Sequence, residues 1–550
     1  MDNQVNIKEE KVACHSERSE ESFCTTQPSK NRKILRSAQD DSYKDRLFNI
    51  RPICFWAFFV ALTVAVCIGY ANRPWLVGVY FVCLIALFVV LQFVESRDKV
   101  LTFFGTSRLN FIITLVLCFV VAFSFAITTL SFTHQKSYAG FHELSGIVER
   151  HRIRDDDTGW FILTNVKFGD QSVSGNVAVY VNSSNESLRA NVISTHRVSI
   201  TTQLRTANPN NYNVNNNIKY TANVGANVEI TAAGVDRSPR SEITRYSQNF
   251  LRKHMSNRNA DLMFAMLFGD RSDLDGELSE SFSLTGIAHV LSVSGLHVGL
   301  LVGMLVFILN RCRVSRKKQI PIIAVLLLFY CYLCGFRLSI LRAAIMFMVF
   351  VVRRAFLRSN DMLSSLALAG IIILILFPYS LMSASLQFSF ACMLGIAMFN
   401  LPFTKFFREK AKLPKWLSSA LSMYCATFLA CLPLMIKYFG FVSLLGLFTN
   451  VLFLPLLVLA FQVSFISVLT WVAFPLLYII NVTLDVIISV THWLASLPFA
   501  TITTPSGQGY WFLLYFVGLI FTSRFIFLRP RYKYSAAAIL ILLYGLSVLI

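Results

Sequence analysis

Long apolar runs separated by short polar blocks dominate the chain. Three of them lie near residues 53–70, 75–94 and 110–131, and each is close to the ~20 residues that a helix needs to cross a hydrocarbon core. These runs predict a three-helix membrane segment at 53–133. The residues before it, 1–52, are polar and Ser-rich without apolar periodicity, which predicts a disordered cytoplasmic tail.

A polar stretch at residues 134–257 follows, and its apolar residues alternate with polar ones. Val177, Val179 and Val181 occupy every second position, as in a strand that buries one face. Further strand candidates are residues 147–153, 160–168 and 198–204. About five short strands are typical of a small closed barrel, and their order is compatible with an OB-fold. We interpret the Asn-rich run that ends at Asn217 as a flexible loop.

Beyond Ala260 the apolar runs return and predict a polytopic domain over residues 258–550. Basic blocks separate these runs, and cytoplasmic loops of membrane proteins hold an excess of Lys and Arg. The blocks are Arg311, Arg313, Arg316, Lys317 and Lys318; Arg353, Arg354 and Arg358; and Lys405, Arg408, Lys410 and Lys412. Placing them inside, with Arg97, Lys99 and Arg108, leaves the N-terminus cytoplasmic and the β segment outside. The predicted fold is a polytopic α-helical membrane protein of ~13 spans with an inserted small all-β, OB-fold-like extracytoplasmic domain.

Composition supports a membrane protein and adds little about its cargo. Hydrophobic residues make up 55% of the 550 positions, and the mean hydropathy of +0.57 is too high for an ordinary soluble protein. The net charge of +20 sits mostly in the loop blocks, so it does not by itself indicate nucleic-acid binding. No cysteine lies between Thr133 and Ala260, so no disulfide framework is predicted. No metal or cofactor site is predicted either.

Residues 289–299 concentrate polar and small side chains inside an apolar run. Polar groups at membrane depth usually mark a pathway or a packing seam. If the segment is one helix, Ser294 and His297 point to one side and face a lumen or a second polar helix. Alternatively, the segment is only a tight helix seam in which a backbone carbonyl satisfies His297.

On that same helix, Gly295, Gly299 and Gly303 recur every four residues. Ala288 and Ser292 fall on the same side. Small side chains in such a stripe allow another membrane helix to approach closely. The sequence therefore predicts a helix-packing contact along these glycines.

Further polar groups interrupt the neighbouring segments. Asp270 and Arg271 form either an ion pair and helix cap or a polar entrance where phosphates meet Arg271. Arg342 is deep in an apolar run, so it must face protein, water or substrate. Gln387 also interrupts an apolar run, and it either lines a path or holds helices together by hydrogen bonds.

Two more residues are candidates for helix packing. Asn450 is expected to hold helices together by hydrogen bonds. Pro455 is expected to break or kink its helix, which leaves carbonyls for neighbouring groups.

In their order along the chain, these motifs resemble those of the ComEC competence-protein family. The matching elements are Gly269-Asp270-Arg271, the 289–299 signature, Ser339-x-x-Arg342-Ala343, residues 385–390, and residues 444–450 with Pro455. The resemblance covers about Phe264 to Pro455. It implies an OB-like domain before the channel, where Asn208-Pro209-Asn210-Asn211-Tyr212 is a loose match with both family glycines replaced.

The resemblance also implies a function, which is uptake of single-stranded DNA across the cytoplasmic membrane in natural transformation. The candidate channel residues are Asp270, Arg271, Ser292, Ser294, His297, Arg342 and Gln387, and the candidate helix-packing residues are Gly295, Gly299, Gly303, Asn450 and Pro455. An external DNA-delivery protein and a cytoplasmic helicase or translocase are the implied partners. Many members end in a metallo-β-lactamase-like domain, whose His-x-His-x-Asp-His cluster does not occur among the nine histidines here. We therefore expect a partner to degrade the second strand.

Three functions remain open at this point. The first is a DNA conduit in the cytoplasmic membrane, which is not an enzyme, contacts membrane lipids and acts alone or as a homodimer. The second is an intramembrane hydrolase in which Ser294 is the nucleophile and His297 the base. The third is a transporter or structural membrane protein for a cargo other than DNA.

Overall fold

The structure is a computed structural model, and it describes most of the chain between Pro52 and Leu519. The described residues are 52–69, 77, 79–84, 108–133, 135–136, 138, 140–153, 156–169, 171–208, 210–226, 228–291, 293–356, 362–472, 475–503, 515–516 and 518–519. The predicted tail before Pro52, most of the apolar run at 75–94, Ser292, Pro209, and the basic residues Arg97, Lys99 and Arg358 lie outside the described residues.

The described chain is mostly helical. Its α-helices, in chain order, are α1 (Pro52–Gly69), α2 (Arg108–Thr133), α3 (Glu186–Asn191), α4 (Asn211–Asn215), α5 (Pro239–His254), α6 (Asn257–Phe268), α7 (Gly276–Leu284), α8 (Gly295–Arg311), α9 (Arg316–Leu333), α10 (Leu338–Phe356), α11 (Met362–Leu376), α12 (Ala384–Lys405), α13 (Lys415–Phe439), α14 (Gly446–Thr470) and α15 (Leu476–Ala495). Short 3-10 turns at Ala288–Leu291 and Pro378–Met382 precede α8 and α12.

Among the described residues, five helices are long and apolar enough to cross a membrane. They are Ile112–Thr133, Ala384–Lys410, Lys415–Phe439, Gly446–Thr470 and Leu476–Ala495. Shorter apolar helices are Trp56–Ile68, Gly295–Arg311 and Met362–Leu376. The prediction of a helical membrane protein is confirmed at this level, and the number of spans stays a prediction.

The exposed residues of α2 show how such a helix suits a bilayer. Val116, Phe119, Phe123 and Ile127 are all more than half exposed, and their spacing of three to four residues places them along one face of the helix. Cys118 and Val121, on the opposite side, are fully buried. Large apolar side chains exposed in a continuous stripe are stable against lipid and costly against water.

The polar segment forms one sheet. Its strands are β1 (His142–Ile153), β2 (Gly159–Phe168), β3 (Gln171–Ser172), β4 (Asn176–Val181), β5 (His196–Thr202), β6 (Leu204–Thr206), β7 (Ile218–Val224) and β8 (Ile230–Val235). A second, two-stranded sheet pairs β9 (Phe441–Ser443) with β10 (Thr501–Thr503).

Strand pairing brings the first sheet back towards its own beginning. The strand β1 pairs antiparallel with β2 and β5, β2 pairs antiparallel with β4, and β4 pairs in parallel with β7. The strand β6 pairs with β7 and follows β5 after a single residue. The pairing path runs β6-β7-β4-β2-β1-β5-β8, so the connection from β5 to β6 crosses to the strand at the other end of the path. The side chains of Leu144, Phe161, Val179, Ile200 and Tyr220 meet in a single apolar core.

The Asn-rich segment is more ordered than the sequence suggested. It forms the short helix α4, in which the Asn210 side chain accepts a hydrogen bond from the Asn213 backbone N–H at 2.7 Å. The side chains of Asn213 and Asn216 donate to backbone carbonyls within the same segment. The prediction of a flexible loop was wrong because Asn side chains can satisfy nearby backbone groups and so stabilise a tight local structure.

The helix α5 connects the sheet to the membrane helices. Ser238 caps its N-terminus, and Leu251 is buried in the same core as Met263, Leu291 and Phe461. Although α5 lies within the polar segment predicted at 134–257, it therefore packs with the helical part of the chain. The predicted domain boundaries stay predictions.

Candidate functional site

The signature at residues 289–299 is not one helix. A 3-10 turn ends at Leu291, and α8 begins at Gly295 with Ser294 as its N-cap. The His297 Nδ1 atom accepts a hydrogen bond from the Ser294 backbone N–H at 3.1 Å and lies 3.2 Å from the Ser294 hydroxyl. The first turn of a helix leaves backbone N–H groups without partners, so this contact caps α8.

This geometry corrects the expectation that Ser294 and His297 point from a helix face into a lumen. The His297 side chain is only 2% exposed, and its ring lies 4.7 Å from the ring of Phe461 on α14. The polar pair therefore begins α8 inside the protein. Ser292, the other serine of the signature, lies outside the described residues.

Of the three glycines in the predicted stripe, Gly299 is the one that lies against another helix among the described residues. A β-carbon on Gly299 would lie 2.6 Å from the Phe347 ring on α10. A β-carbon on Gly295 or Gly303 would meet nothing within 4 Å. For these two glycines no contacting helix lies among the described residues, so the expected packing contact stays a prediction; Ala288 lies in the 3-10 turn that precedes α8.

A closer helix contact lies elsewhere. A β-carbon on Gly395 of α12 would overlap the Ala426 carbonyl of α13 and lie 2.7 Å from the Ala430 β-carbon. Ala426 and Ala430 are four residues apart, which is the spacing of small residues at close membrane-helix contacts. That spacing is the signal by which sequence reasoning could have found this contact.

Two candidate packing residues sit on α14. The Asn450 side chain donates to the Gly286 carbonyl at 3.3 Å and to the Gly446 carbonyl at 2.6 Å, so it ties α14 to the turn before the signature. Pro455 lies inside α14, which continues to Thr470. The helix is therefore not broken at Pro455, which cannot donate an intrahelical hydrogen bond, and the expected kink stays a prediction.

Asp270 lies in the loop between α6 and α7, just after Gly269 ends α6 in a left-handed conformation with φ of 74°. Its carboxylate accepts hydrogen bonds from the Ser272 backbone and hydroxyl and lies 3.7 Å from Arg337. Burial alone raises the pKa of Asp270, but Arg337 and the Ser272 hydrogen bonds outweigh it and hold the pKa below its ordinary value. The ion pair thus forms with Arg337 rather than with Arg271.

Arg271 instead supports the signature. Its Nε atom donates to the Leu291 carbonyl at 2.9 Å, which holds the end of the 3-10 turn. Burial, and then the charges of Arg337 and Arg152, lower the pKa of Arg271. Three arginines from separate parts of the chain are therefore close enough to repel one another.

A fourth arginine completes this group, which we call the junction cluster and define as Arg150, Arg152, Arg271 and Arg337. Burial, and next the charge of Arg337, lower the pKa of Arg150, whose Nη2 donates to the Asn216 side chain at 3.2 Å. The Nε atoms of Arg150 and Arg337 are buried without a hydrogen-bond partner in the described part of the chain.

The junction cluster carries more positive than negative charge. Of the carboxylates near it, Asp270 lies against Arg337, and Glu149 lies 3.8 Å from Arg150. Four guanidinium groups thus face two carboxylates. Arg150 and Arg337 are partly buried, whereas Arg152 and Arg271 are exposed to solvent, so this surplus of positive charge is accessible to an anion.

The sheet docks on the helices beside the junction cluster. The His151 backbone N–H donates to the Ser272 hydroxyl, and the His151 ring lies 3.8 Å from Asp273. Burial lowers the pKa of His151, opposed by Asp273 and then Asp270. These contacts fix β1 against the loop that carries Asp270.

Arg342 lies in the second turn of α10. It is 3% exposed, its Nη1 donates to the Ser383 hydroxyl at 3.1 Å, and its Nη2 donates to the Ser385 hydroxyl. Its Nε is buried without a hydrogen-bond partner among the described residues. It follows Arg337, which precedes α10, by five positions along the chain.

Gln387 belongs to the same segment as these serines but makes other contacts. Its Nε2 donates to the Leu381 carbonyl at 3.0 Å, and its Oε1 accepts from the Tyr438 hydroxyl at 2.9 Å. Gln387 therefore joins α12 to α13 and to the turn before α12. Hydrogen bonding between helices is the role that these contacts support.

The helix α4 links the two arginine sites. Tyr212 on α4 interacts electrostatically with Arg150, and Val214 packs with Tyr379 in the turn that leads to Ser383. Sequence reasoning missed Arg150 and Arg152, although their alternation along a strand is a signal that they share a face. It also missed Ser383 and Ser385 as partners of Arg342.

Part of the chain matches a known protein family. Residues 266–529 match the family model described as competence protein. Over these residues, just under half of its length, the chain is similar to the competence-protein family. The predicted resemblance is confirmed, and Arg271, Arg337 and Arg342 lie inside the matched region while Arg150 and Arg152 precede it.

Curated relatives match between 36% and 44% of the chain. ComE operon protein 3 of Bacillus subtilis is 26% identical over 248 residues, which is 44% of this chain and 31% of that protein. Recombination protein 2 of Haemophilus influenzae is 27% identical over 36% of this chain and 26% of its own length. An uncharacterized protein of Aquifex aeolicus is 29% identical over 38% of this chain and 48% of its own length. The chain thus matches less than half the length of each relative. No solved structure matches it.

Acidic, histidine and cysteine side chains do not gather into a metal site in the part of the chain that the structure describes. The arginines of the junction cluster and Arg342 are charged side chains that lie in or beside the matched region. They are therefore the basis for a functional proposal.

Proposed function

We propose that this protein is a membrane conduit for single-stranded DNA in natural transformation. The observation that carries the proposal is the surplus of guanidinium groups in the junction cluster, with Arg342 beyond it on α10. A phosphodiester backbone needs positive or hydrogen-bonding groups along its track. The names of the relatives, ComE operon protein 3 and Recombination protein 2, agree with a role in acquiring DNA.

The proposed path begins at the sheet and continues between the helices. The single DNA strand passes Arg150 and Arg152 on β1, then Arg271 and Arg337. It then reaches Arg342, which is bound to serine hydroxyls. Asp270 keeps Arg337 in place, and Ser294 with His297 caps α8 beside the path. Ser292 and Gln387 belong to the same proposal as neighbours of these elements.

The fold proposal is that the sheet is an OB-like barrel outside the membrane, inserted in a protein of ~13 spans. It is supported by the pairing order β6-β7-β4-β2-β1-β5-β8, in which β4 and β7 are parallel and a single residue connects β5 to β6. Basic residues lie at the C-terminal ends of α8 and α10 and at the N-terminal end of α9. They favour a cytoplasmic location for these three helix ends and for the N-terminus of the chain.

Partners complete this proposal. An external DNA-delivery protein would present the strand to the sheet, and a cytoplasmic helicase or translocase would supply the energy. Membrane lipids surround the helices, and a second copy of the chain is a further candidate partner. We assign no catalytic chemistry to the described residues.

The hydrolase alternative is disfavoured by the contacts of Ser294 and His297. The Nδ1 lone pair that a general base would use is occupied by the Ser294 backbone N–H. A hydrolase of this kind would need a carboxylate to orient the histidine. Asp270 contacts Ser272 and Arg337 instead. Labelling of Ser294 by a serine-reactive fluorophosphonate would revive this alternative.

Binding to a single-stranded oligothymidylate tests the conduit directly. We would compare the purified full-length protein with Arg152→Gln, and use Arg205→Gln as the matched control, because Arg205 is an exposed arginine of β6 outside the junction cluster. Loss of one phosphate contact reduces the slope of log affinity against log salt by ~0.7 for a single strand. We expect this reduction for Arg152→Gln and an unchanged slope for Arg205→Gln.

A genetic test distinguishes DNA from another cargo. Deletion of the gene should abolish transformation by a selectable homologous marker, and the wild-type gene should restore it. If Arg152→Gln and Arg205→Gln show the same slope of log affinity against log salt, the junction cluster does not contact the DNA phosphates. Normal transformation in the deletion strain would refute the conduit and favour a transporter or structural protein for a different cargo.

A further inference from the structure

A small pocket lies between α8, α9 and α10, away from the junction cluster. Its volume is about 140 Å³, and its walls include Gly303, Val306, Phe347 and Phe350. Gly303 leaves it open, because a β-carbon there would meet no atom within 4 Å. The walls are thus apolar and suit a hydrocarbon chain.

Two cations stand at the rim of this apolar pocket. Arg316 begins α9 and Arg354 lies in the last turn of α10, and both line the pocket. Neighbouring Arg311, Lys317 and Lys318 add to the positive charge at the same end of the helices.

The wall beside the rim is held by hydrogen bonds. The Gln319 side chain, which also lines the pocket, donates to the Asn310 side chain at 2.8 Å and to the Val314 carbonyl at 2.9 Å. These bonds join α8 to α9. A site with fixed walls loses little entropy when a ligand binds.

We propose that this pocket binds one anionic phospholipid. The phosphate lies between the guanidinium groups of Arg316 and Arg354, and part of one acyl chain lies against Gly303, Phe347 and Phe350. Arginine binds phosphate through several donors, and basic pockets between membrane helices on the cytoplasmic side suit anionic headgroups. The proposal does not depend on DNA transport.

The apolar walls decide between lipid and nucleic acid as the occupant. A DNA backbone would use the two arginines but has no alkyl chain to bury beside the phenylalanines. A phospholipid uses both parts of the site. Burial of methylene groups would add to the electrostatic attraction.

Native mass spectrometry of the full-length protein in detergent tests this site with phosphatidylglycerol and phosphatidylcholine. Arg316→Gln with Arg354→Gln should weaken phosphatidylglycerol binding at least ~10-fold, the factor that corresponds to one charged hydrogen bond. Gly303→Leu should also weaken it, because the new side chain fills the pocket while both charges remain. Arg311→Gln with Lys318→Gln removes the same charge outside the pocket and should leave affinity unchanged.

Three results would overturn the proposal. Equal affinity of the wild type for both lipids would remove the anion requirement. An equal loss in the control double variant would show general surface attraction only. An oligothymidylate that displaces phosphatidylglycerol, and whose binding is lost with Arg316 and Arg354, would assign the site to nucleic acid.

Discussion

Replacing Arg342 with methionine separates the structural from the functional role of this buried cation. Arg342 is 3% exposed and is held by the hydroxyls of Ser383 and Ser385. Each hydrogen bond to a charged group contributes ~1.5–3 kcal/mol, so the two together stabilise the fold by ~3–6 kcal/mol. Removing an ion from water costs several kcal/mol, which offsets this gain.

We therefore expect the free energy of unfolding of Arg342→Met to equal or exceed that of the wild type. Ser383 keeps its hydrogen bond to the Ser380 carbonyl in that variant, so few polar groups lose partners. Ser385→Ala is the informative contrast, because it keeps the buried charge and removes one acceptor. It should lower the free energy of unfolding by ~1.5–3 kcal/mol.

The assay combines thermal unfolding of the purified protein in detergent with transformation frequency in a complemented deletion strain. If Arg342 contacts phosphate, Arg342→Met folds at least as stably as the wild type and does not support transformation. Wild-type transformation by a stable Arg342→Met protein would exclude Arg342 from the path. Strong destabilisation of Arg342→Met would refute the argument that desolvation offsets its hydrogen bonds.

Three further outcomes follow from the described contacts. Gly395→Ala should destabilise the protein by ~1–3 kcal/mol through overpacking, whereas Gly303→Ala, in open space, should change the unfolding temperature little; equal effects would contradict the helix contact. The Cys392 and Cys431 sulfurs lie 3.2 Å apart. Two copper(II)-phenanthroline ions should therefore each accept one electron from the two thiols and become copper(I), while the two thiol protons pass to the buffer and a disulfide forms, detected as a linked peptide by mass spectrometry. Two alkylatable thiols after treatment would count against this pairing. Burial lowers the pKa of His151. The stability that depends on neutral His151 should therefore be fully present above its ordinary pKa of ~6.5 and fall as the pH drops below it. Unfolding temperatures between pH 7.5 and 5.5 should vary less in His151→Gln than in the wild type, and an unchanged pH dependence would exclude His151 as its source.

Local patterns predicted much of the secondary structure. The alternating valines at 177–181 form β4, and the strand candidates at 147–153, 160–168 and 198–204 lie within or overlap β1, β2, β5 and β6. Strand alternation and helix length reflect how each segment meets water, lipid or a core. The strands β7 and β8 were not predicted, because no comparable alternation was singled out there.

The candidate site was predicted only where one residue carried the signal alone. Arg342 stood out because cations are costly in apolar runs, and Arg271 stood out because it belongs to the Gly269-Asp270-Arg271 element of the resemblance. Their partners did not, because Arg150 on β1, Arg337 before α10 and Ser385 on α12 are far apart in sequence. Their proximity depends on how the sheet and helices pack.

The sequence by itself determined that this is a helical membrane protein with a β segment between its apolar runs and with motifs similar to those of the competence-protein family, since hydropathy and periodicity act within each segment. Only the tertiary structure decided that Gly395 rather than Gly295 makes the tight helix contact, and that the four arginines of the junction cluster lie close to one another. Those outcomes depend on distances between side chains from separate elements. Such distances are set by packing of the whole chain, and no local pattern encodes them.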